Sequence, residues 1–211
     1  MAMEDSNVAP KNKSFEIILG SSSAARREIL AEMGYEFSIM TADIDEKGIR
    51  KENPEELVSA LAEAKADALM IKLEATGKLK EMSRPTLLIT ADTVVVYQGT
   101  IREKPSNERE ARQFITDYSG SSARVVGSVL VTNLVTGCRK GGWDSAEVYF
   151  LDIPEEVVDS LIEEGITFNV AGGLMLEHPL IFPLVDTVIG TADCVMGLSK
   201  TLTENLIRDA L

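Results

Sequence analysis

Residues 17–30 read IILGSSSAARREIL: an apolar run, a glycine, three serines and an amphipathic segment that opens with two arginines. This order predicts a strand, a tight turn and the first turns of a helix. A helix N-terminus presents unpaired backbone N–H groups and a partial positive charge. The hydroxyls of Ser21 and Ser23 and the guanidinium of Arg26 would add donors for a phosphate. The same residues are typical of an ordinary N-cap beside surface arginines, so both interpretations stay open.

The rest of the chain alternates predicted strands with predicted helices, which favours an α/β fold. Residues 1–13 are polar and are expected to form a disordered leader, and residues 14–211 are expected to form one domain. The predicted strands are 15–20, 35–41, 86–90 with an extended continuation to 97, 123–133 and 138–150. The predicted helices are 24–33, 55–74, 107–118, 154–164 and 198–211.

Composition narrows the classes of function. The 211 residues carry 34 acidic against 21 basic side chains, a net charge of −13, which argues against a surface that coats nucleic acid. The chain has no run of eighteen apolar residues, so no membrane partner is expected. Its first residues lack the apolar segment of a signal peptide, which predicts a cytoplasmic location.

Asp92 is the most informative single carboxylate. It follows the apolar run Leu87–Ala91, and a carboxylate at the mouth of a buried strand is costly without a partner or a task. Ligands of open α/β sheets gather at the carboxyl ends of strands. Asp92 is therefore a candidate Mg²⁺ ligand or general base for water, with a structural turn cap as the alternative.

Other charged residues give weaker signals. Asp43, Asp45 and Glu46 form an acidic cluster, for which a solvated loop is the favoured interpretation. Lys65 lies on the long predicted helix, and Lys104 precedes a proline that biases its backbone towards an extended form. Each lysine alone is typical of a surface. Together with Ser21 and Arg26 they would balance a triphosphate and a metal ion.

Taken in order, these segments resemble the Maf family of nucleotide pyrophosphatases, which is related in fold to the inosine-triphosphatase group. The resemblance runs from about Ile17 to Leu206. The segments that carry it are Ser21–Leu30, Ala62–Ala66, Ala91–Val95, Gly99 with Lys104-Pro105, Tyr118–Gly120, Ala171-Gly172 and Val195–Leu198.

The resemblance implies an elongated, two-lobed α/β fold with a central mixed sheet and a cleft, with a homodimer as a frequent assembly. It implies hydrolysis of a nucleoside triphosphate to the monophosphate and pyrophosphate, with Mg²⁺ or another divalent cation such as Mn²⁺. Asp92 falls at the proton-acceptor position and also at a metal site with Asp43. The positions that would contact phosphate are those of Ser21, Ser23, Arg26, Lys65 and Lys104.

Three positions associated with the choice of base correspond to Ala25, Thr93 and Glu177. A threonine is typical of the branch that prefers dTTP and UTP, and a glutamate is typical of the branch that prefers 7-methyl-GTP, whereas alanine fits neither. The family's proline and first arginine are replaced by Ala24 and Ala25. Two alternatives follow: a nucleotide-binding or regulatory protein with little turnover, and a phosphatase that acts on monophosphates or sugar phosphates.

Overall fold

A seven-stranded mixed sheet forms the centre of the computed structural model, which describes residues 10–41, 43–173 and 175–211. The strand order is β2-β1-β3-β5-β6-β7, and β4 pairs with β3 beside this path. The strands are β1 (Glu16–Leu19), β2 (Ser38–Ile39), β3 (Thr86–Tyr97), β4 (Thr100–Arg102), β5 (Ser122–Asn133), β6 (Arg139–Phe150) and β7 (Val185–Ile189).

Strand β3 runs through the middle of the sheet. Its first half pairs in parallel with β1, and residues Leu87–Val96 pair antiparallel with β5. The prediction that a strand ends at Thr90, with Asp92 beyond its mouth, was wrong: Asp92 lies inside β3, opposite Ser128 of β5. It stands three residues after the last pair with β1, so it lies where the parallel edge stops and a cleft can open.

Helices cover both faces of the sheet. They are α1 (Ala24–Glu32), α2 (Pro54–Ala75), α3 (Lys78–Glu81), α4 (Glu108–Tyr118), α5 (Glu155–Glu164), α6 (Ala192–Val195) and α7 (Lys200–Ala210). Successive side chains of a strand point to opposite faces. Leu87 and Ile89 accordingly join the core with α1 and α7, whereas Leu88 packs in the core with α2. A separate core surrounds α4 and α5 at the other end of the sheet.

Helix α2 illustrates how the sequence sets an element. The Asn53 side chain accepts a hydrogen bond from the Glu56 N–H at 2.9 Å, and Pro54 occupies the first turn, where its missing N–H costs nothing. Glu55 and Glu56 place negative charge at the positive end of the helix dipole. The buried face of α2 then lies along β3 and β5, and it presents Lys65 towards the strand that carries Asp92.

The segment before β1 and the short elements differ from expectation. Within the predicted leader, residues 1–9 lie outside the described residues. Asn12, however, is buried and exchanges hydrogen bonds with the backbone of Glu36 at 2.8 and 3.0 Å. The predicted strand 35–41 is shortened to Ser38–Ile39, and no local pattern predicted α3 or α6. None of the helices in the described ranges has the length and apolarity needed to cross a membrane. The predicted α/β fold with a central mixed sheet is confirmed.

Candidate active site

A cleft of about 590 Å³ lies beside the middle of β3. Its wall includes the turn before α1, the middle of α2 and the turn at 46–48. Residues 169–171, 175–177 and 195–197 complete this part of the wall. The predicted site residues that line it are Ser21, Ser23, Ala25, Arg26, Lys65, Asp92, Thr93, Lys104 and Glu177. Segments far apart in the chain therefore meet in one cavity.

The turn before α1 is a helix cap and part of the cleft wall at once. Ser23 is the N-cap, and its hydroxyl accepts a hydrogen bond from the Arg26 N–H at 3.3 Å. The Ser21 hydroxyl accepts from the Ser23 N–H at 3.2 Å. An ordinary N-cap and a phosphate-binding turn were the two interpretations of this segment. They are compatible, because the capped helix directs its N-terminus into the cleft.

Arg26 is held by four acceptors from three parts of the chain. Its Nε donates to the Gly197 carbonyl at 2.9 Å, and its Nη1 donates to the Ala91 carbonyl at 2.9 Å and to the Ser21 hydroxyl at 3.3 Å. Its Nη2 donates to the Thr93 hydroxyl at 2.9 Å. Burial lowers the pKa of Arg26, while the charges of Asp92 and Glu46 oppose that shift. Arg26 therefore joins α1, β3 and the turn after α6 across the base of the cleft.

Lys65 lies between two carboxylates. Its ammonium donates to Asp92 and lies 2.8 Å from the Glu46 carboxylate. The side chains of Lys65 and Asp92 are only 13% and 12% exposed, so this pair is shielded from water. Partial burial alone would raise the pKa of Glu46, but the hydrogen bond and charge of Lys65, with the charges of Lys104 and Arg26, hold it below its ordinary value.

The alternation of β3 explains both of these arrangements. Asp92 points to the face of α2 and meets Lys65, whereas Thr93 points to the face of α1 and meets Arg26. One strand thus supplies a candidate reactive carboxylate on one side and an anchor for the helix N-terminus on the other.

The cleft also has apolar lining. Ala25 contributes to it from the first turn of α1, and Glu177 brings a carboxylate to a wall that also contains valine, methionine and leucine side chains. These wall residues are Val95, Val125, Met175, Leu176, Val195 and Met196. Such a wall suits a flat aromatic ring with a polar edge.

The sequence profile of the family described as Maf-like protein matches residues 16–210. The chain belongs to the Maf family. It is 40% identical over 191 residues to the 7-methyl-GTP pyrophosphatase of Dictyostelium discoideum, covering 90% of this chain and 95% of the relative. It is 31% identical over 192 residues to the dTTP/UTP pyrophosphatase of Desulforamulus reducens, covering 91% and 95%. The 7-methyl-GTP pyrophosphatase of Vibrio parahaemolyticus is 29% identical over 185 residues, covering 84% and 90%.

In the acidic loop of this Maf protein, the residue that reaches the cleft is Glu46, and the role of Asp43 as a metal ligand stays a prediction. Asp43 is exposed and does not line the cleft, whereas Glu46 does. The Asp45 carboxylate accepts a hydrogen bond from the Gly48 N–H at 3.1 Å and caps the short 3₁₀ turn Glu46–Gly48, which directs Glu46 inward. The spacing of an aspartate three residues before a glycine is the sequence signal that was missed.

The donor set suits a divalent cation that binds together with substrate. Two hard carboxylates, Glu46 and Asp92, converge on one cationic group at the base of the cleft. In the described ranges, no cluster of three or more histidine, cysteine, aspartate or glutamate side chains forms a metal cage. Mg²⁺ typically binds through one or two protein carboxylates and completes its shell with water and substrate phosphates. The residues present therefore fit Mg²⁺, and Mn²⁺ has the same preference for oxygen ligands.

Proposed function

We propose that this Maf protein hydrolyses 7-methyl-GTP to the monophosphate and pyrophosphate in a Mg²⁺-dependent reaction at the cleft. Its family and its named relatives make it a nucleoside triphosphate pyrophosphatase. The observation that carries the proposal is the pair of carboxylates, Glu46 and Asp92, held on Lys65 in the same cleft that the N-terminus of α1 lines.

The residues divide the work between holding phosphate and activating water. The start of α1 and Lys104 both line the cleft, and in this proposal the N–H groups of α1 and the Lys104 ammonium hold the triphosphate. Asp92 orients a water molecule and accepts its proton as the oxygen attacks phosphorus, and the anhydride bond between the α- and β-phosphates breaks. Glu46 and Asp92 would hold Mg²⁺, which stabilises the charge that develops on the phosphate oxygens.

Arg26 has a bracing role in this proposal. Four acceptors already occupy its guanidinium, so it fixes the turn that presents phosphate-binding N–H groups. The hydroxyl of Thr93 accepts one of these hydrogen bonds, which makes Thr93 part of the same brace.

The part of the cleft wall that contains Ala25 and Glu177 favours a purine with a hydrogen-bonding edge. Ala25 is small, so the cleft keeps room that a longer side chain would fill. The Glu177 carboxylate is an acceptor, which suits the adjacent N–H donors of guanine and the positive charge of 7-methylguanine. A uracil or thymine base offers a single ring N–H to the same carboxylate. The higher identity to a 7-methyl-GTP pyrophosphatase than to the dTTP/UTP enzyme supports the same choice.

The test is pyrophosphate release from a panel of 7-methyl-GTP, GTP, dTTP, UTP and CTP with Mg²⁺. Wild type is compared with Asp92→Asn and with Asp43→Asn, a matched control that removes the same charge outside the cleft. We expect the highest kcat/KM for 7-methyl-GTP, a loss of at least about 10²-fold in Asp92→Asn, and normal activity in Asp43→Asn.

Several outcomes would contradict the proposal. A fully active Asp92→Asn variant would remove Asp92 from the reaction, and a preference for dTTP or UTP would overturn the assignment of the base. Release of inorganic phosphate in place of pyrophosphate would identify a phosphatase. Thermal stabilisation by nucleotide without any product would identify a binding protein.

A further inference from the structure

The loop that carries Glu177 is held by the chain's single histidine. Residues 175–177 line the cleft, and the 3₁₀ turn Phe182–Leu184 follows the loop. The N–H of His178 donates to the Met175 carbonyl at 3.1 Å. The carbonyl of His178 accepts from the N–H groups of Ile181 and Phe182 at 2.9 and 2.8 Å. The backbone of His178 is therefore the junction between the cleft segment and the turn behind it.

The imidazole of His178 connects the same loop to a helix. Its Nδ1 accepts a hydrogen bond from the Leu180 N–H at 3.2 Å, and its Nε2 lies 2.9 Å from the Glu164 carboxylate. Since Nδ1 is an acceptor, these partners assign the proton to Nε2, which donates to Glu164. The side chain is 11% exposed and does not line the cleft. His178 thus has no direct route to a bound nucleotide.

Glu164 stands at a position that helix stability alone does not favour. It is the last residue of α5, where the dipole presents its negative end, and Gly165 follows in the left-handed region with φ of +72°. Helix α5 is anchored by buried Val158, Leu161 and Ile162. The Glu164 carboxylate contacts His178 from this end of α5 and so connects the loop to a helix with a buried face.

We propose that the contact between His178 and Glu164, called the latch below, positions residues 175–177 in the wall of the cleft. Through Glu177, the latch influences which base the cleft binds. His178 is a positioning residue, and it acts through the placement of residues 175–177. This inference rests on the proposed function for its consequence in catalysis, whereas the latch itself is a property of the fold. Loss of the latch weakens base binding and leaves the phosphate end, built from α1, α2 and β3, unchanged.

The test uses Glu164→Ala, because Glu164 is 47% exposed and lies outside the cleft, so the variant is expected to fold. Glu164→Gln keeps an oxygen acceptor for Nε2 and should restore the latch in part. Glu163→Ala is the matched control: it removes the same charge from the same end of α5, and Glu163 forms no ion pair within 4 Å in the described ranges. His178→Ala is the second disruptive variant.

Two measurements separate the latch from the proposed function. Steady-state kinetics should show that Glu164→Ala raises KM for 7-methyl-GTP about three- to tenfold, the effect of one hydrogen bond, with kcat within about twofold. Its preference for 7-methyl-GTP over UTP should fall, with Glu164→Gln intermediate and Glu163→Ala like wild type. Hydrogen exchange at the amides of His178, Leu180, Ile181 and Phe182 should accelerate in Glu164→Ala and His178→Ala, less in Glu164→Gln, and not in Glu163→Ala.

Each result decides one part of the inference. If loop exchange in Glu164→Ala equals that of Glu163→Ala, the latch does not exist. If exchange accelerates but KM and base preference do not change, the latch has no role in recognition. If wild type releases no pyrophosphate from any nucleotide, the proposed function fails. The hydrogen-exchange data still show whether the contact between His178 and Glu164 holds the loop.

Discussion

Replacing Arg26 with alanine tests whether this side chain is a brace or a phosphate ligand. Its guanidinium donates to Gly197, Ala91, Ser21 and Thr93. At about 1 kcal/mol for each hydrogen bond, these contacts contribute about 4 kcal/mol. Burial of the charge, which lowers the pKa of Arg26, offsets part of this gain. We therefore expect Arg26→Ala to lower the free energy of unfolding by about 2–3 kcal/mol.

The assay is urea denaturation, with thermal unfolding as a second measure. A change of this size corresponds to a fall in Tm of roughly 5–10 °C for a domain of this length. Arg27→Ala is the control, because Arg27 is the exposed neighbour and makes one hydrogen bond, from Nε to the Ser23 carbonyl at 3.3 Å. Its effect should stay within about 0.5 kcal/mol. An Arg26→Ala variant with wild-type stability and a severe loss of nucleotide affinity would refute the brace and restore Arg26 as a phosphate ligand.

Two further perturbations test the Glu46–Lys65 contact in the cleft and the packing of Gly172 against Val95. Glu46 has a folded-state pKa below its ordinary 4.5, so its ionised form stabilises the fold above that pH, and this stabilisation is lost as pH falls through the folded-state pKa. Urea titrations between about pH 3 and 6 should therefore show a steeper acid loss in wild type than in Glu46→Gln, and equal slopes would contradict the Lys65 contact. Gly172→Ala should cost about 2–5 kcal/mol, because φ is +66° and the new Cβ would lie 2.5 Å from Val95 Cγ2. Gly165→Ala, with φ of +72° and no atom within 4 Å, should cost only about 1–2 kcal/mol, and an equal cost for the two variants would refute the steric argument.

Local sequence patterns predicted the helices and strands that do not depend on contacts with distant parts of the chain. The predicted helix 55–74 corresponds to α2, and the predicted strands 123–133 and 138–150 correspond to β5 and β6. The continuity of β3 was not predictable in this way, because Ala91-Asp92-Thr93 breaks the apolar pattern and only pairing with β5 keeps those residues in the strand. Likewise, β2 is short because only Ser38 and Ile39 find partners on β1.

For the candidate site, too, local sequence predicted some features and long-range contacts decided others. Residue types and order indicated that Ser21, Arg26, Lys65 and Asp92 belong to one site, and the fold brings them into one cleft. What each side chain contacts depends on long-range geometry. Arg26 reaches Gly197, 171 residues away in the chain, and no local pattern contains that partner. Glu46 lines the cleft from a 3₁₀ turn that the Asp45 side chain caps, and the order of acidic residues alone does not show which of them enters the cleft.

Arg26 and Lys65 already have hydrogen-bonding or ionic partners in the cleft, and under the proposed function this arrangement would couple metal binding to phosphate binding. Arg26 is fixed by its four acceptors, and Lys65 is held by Glu46 and Asp92. If Glu46 and Asp92 held Mg²⁺, Lys65 would lose both partners, and its shielded ammonium would be free to donate to a phosphate oxygen. Mg²⁺ and nucleotide should then strengthen each other's binding, as reciprocal linkage requires. The chain has a net charge of −13, which repels a nucleoside triphosphate from most of its surface. Such coupling would let the triphosphate bind at the cleft, where a cation would neutralise Glu46 and Asp92.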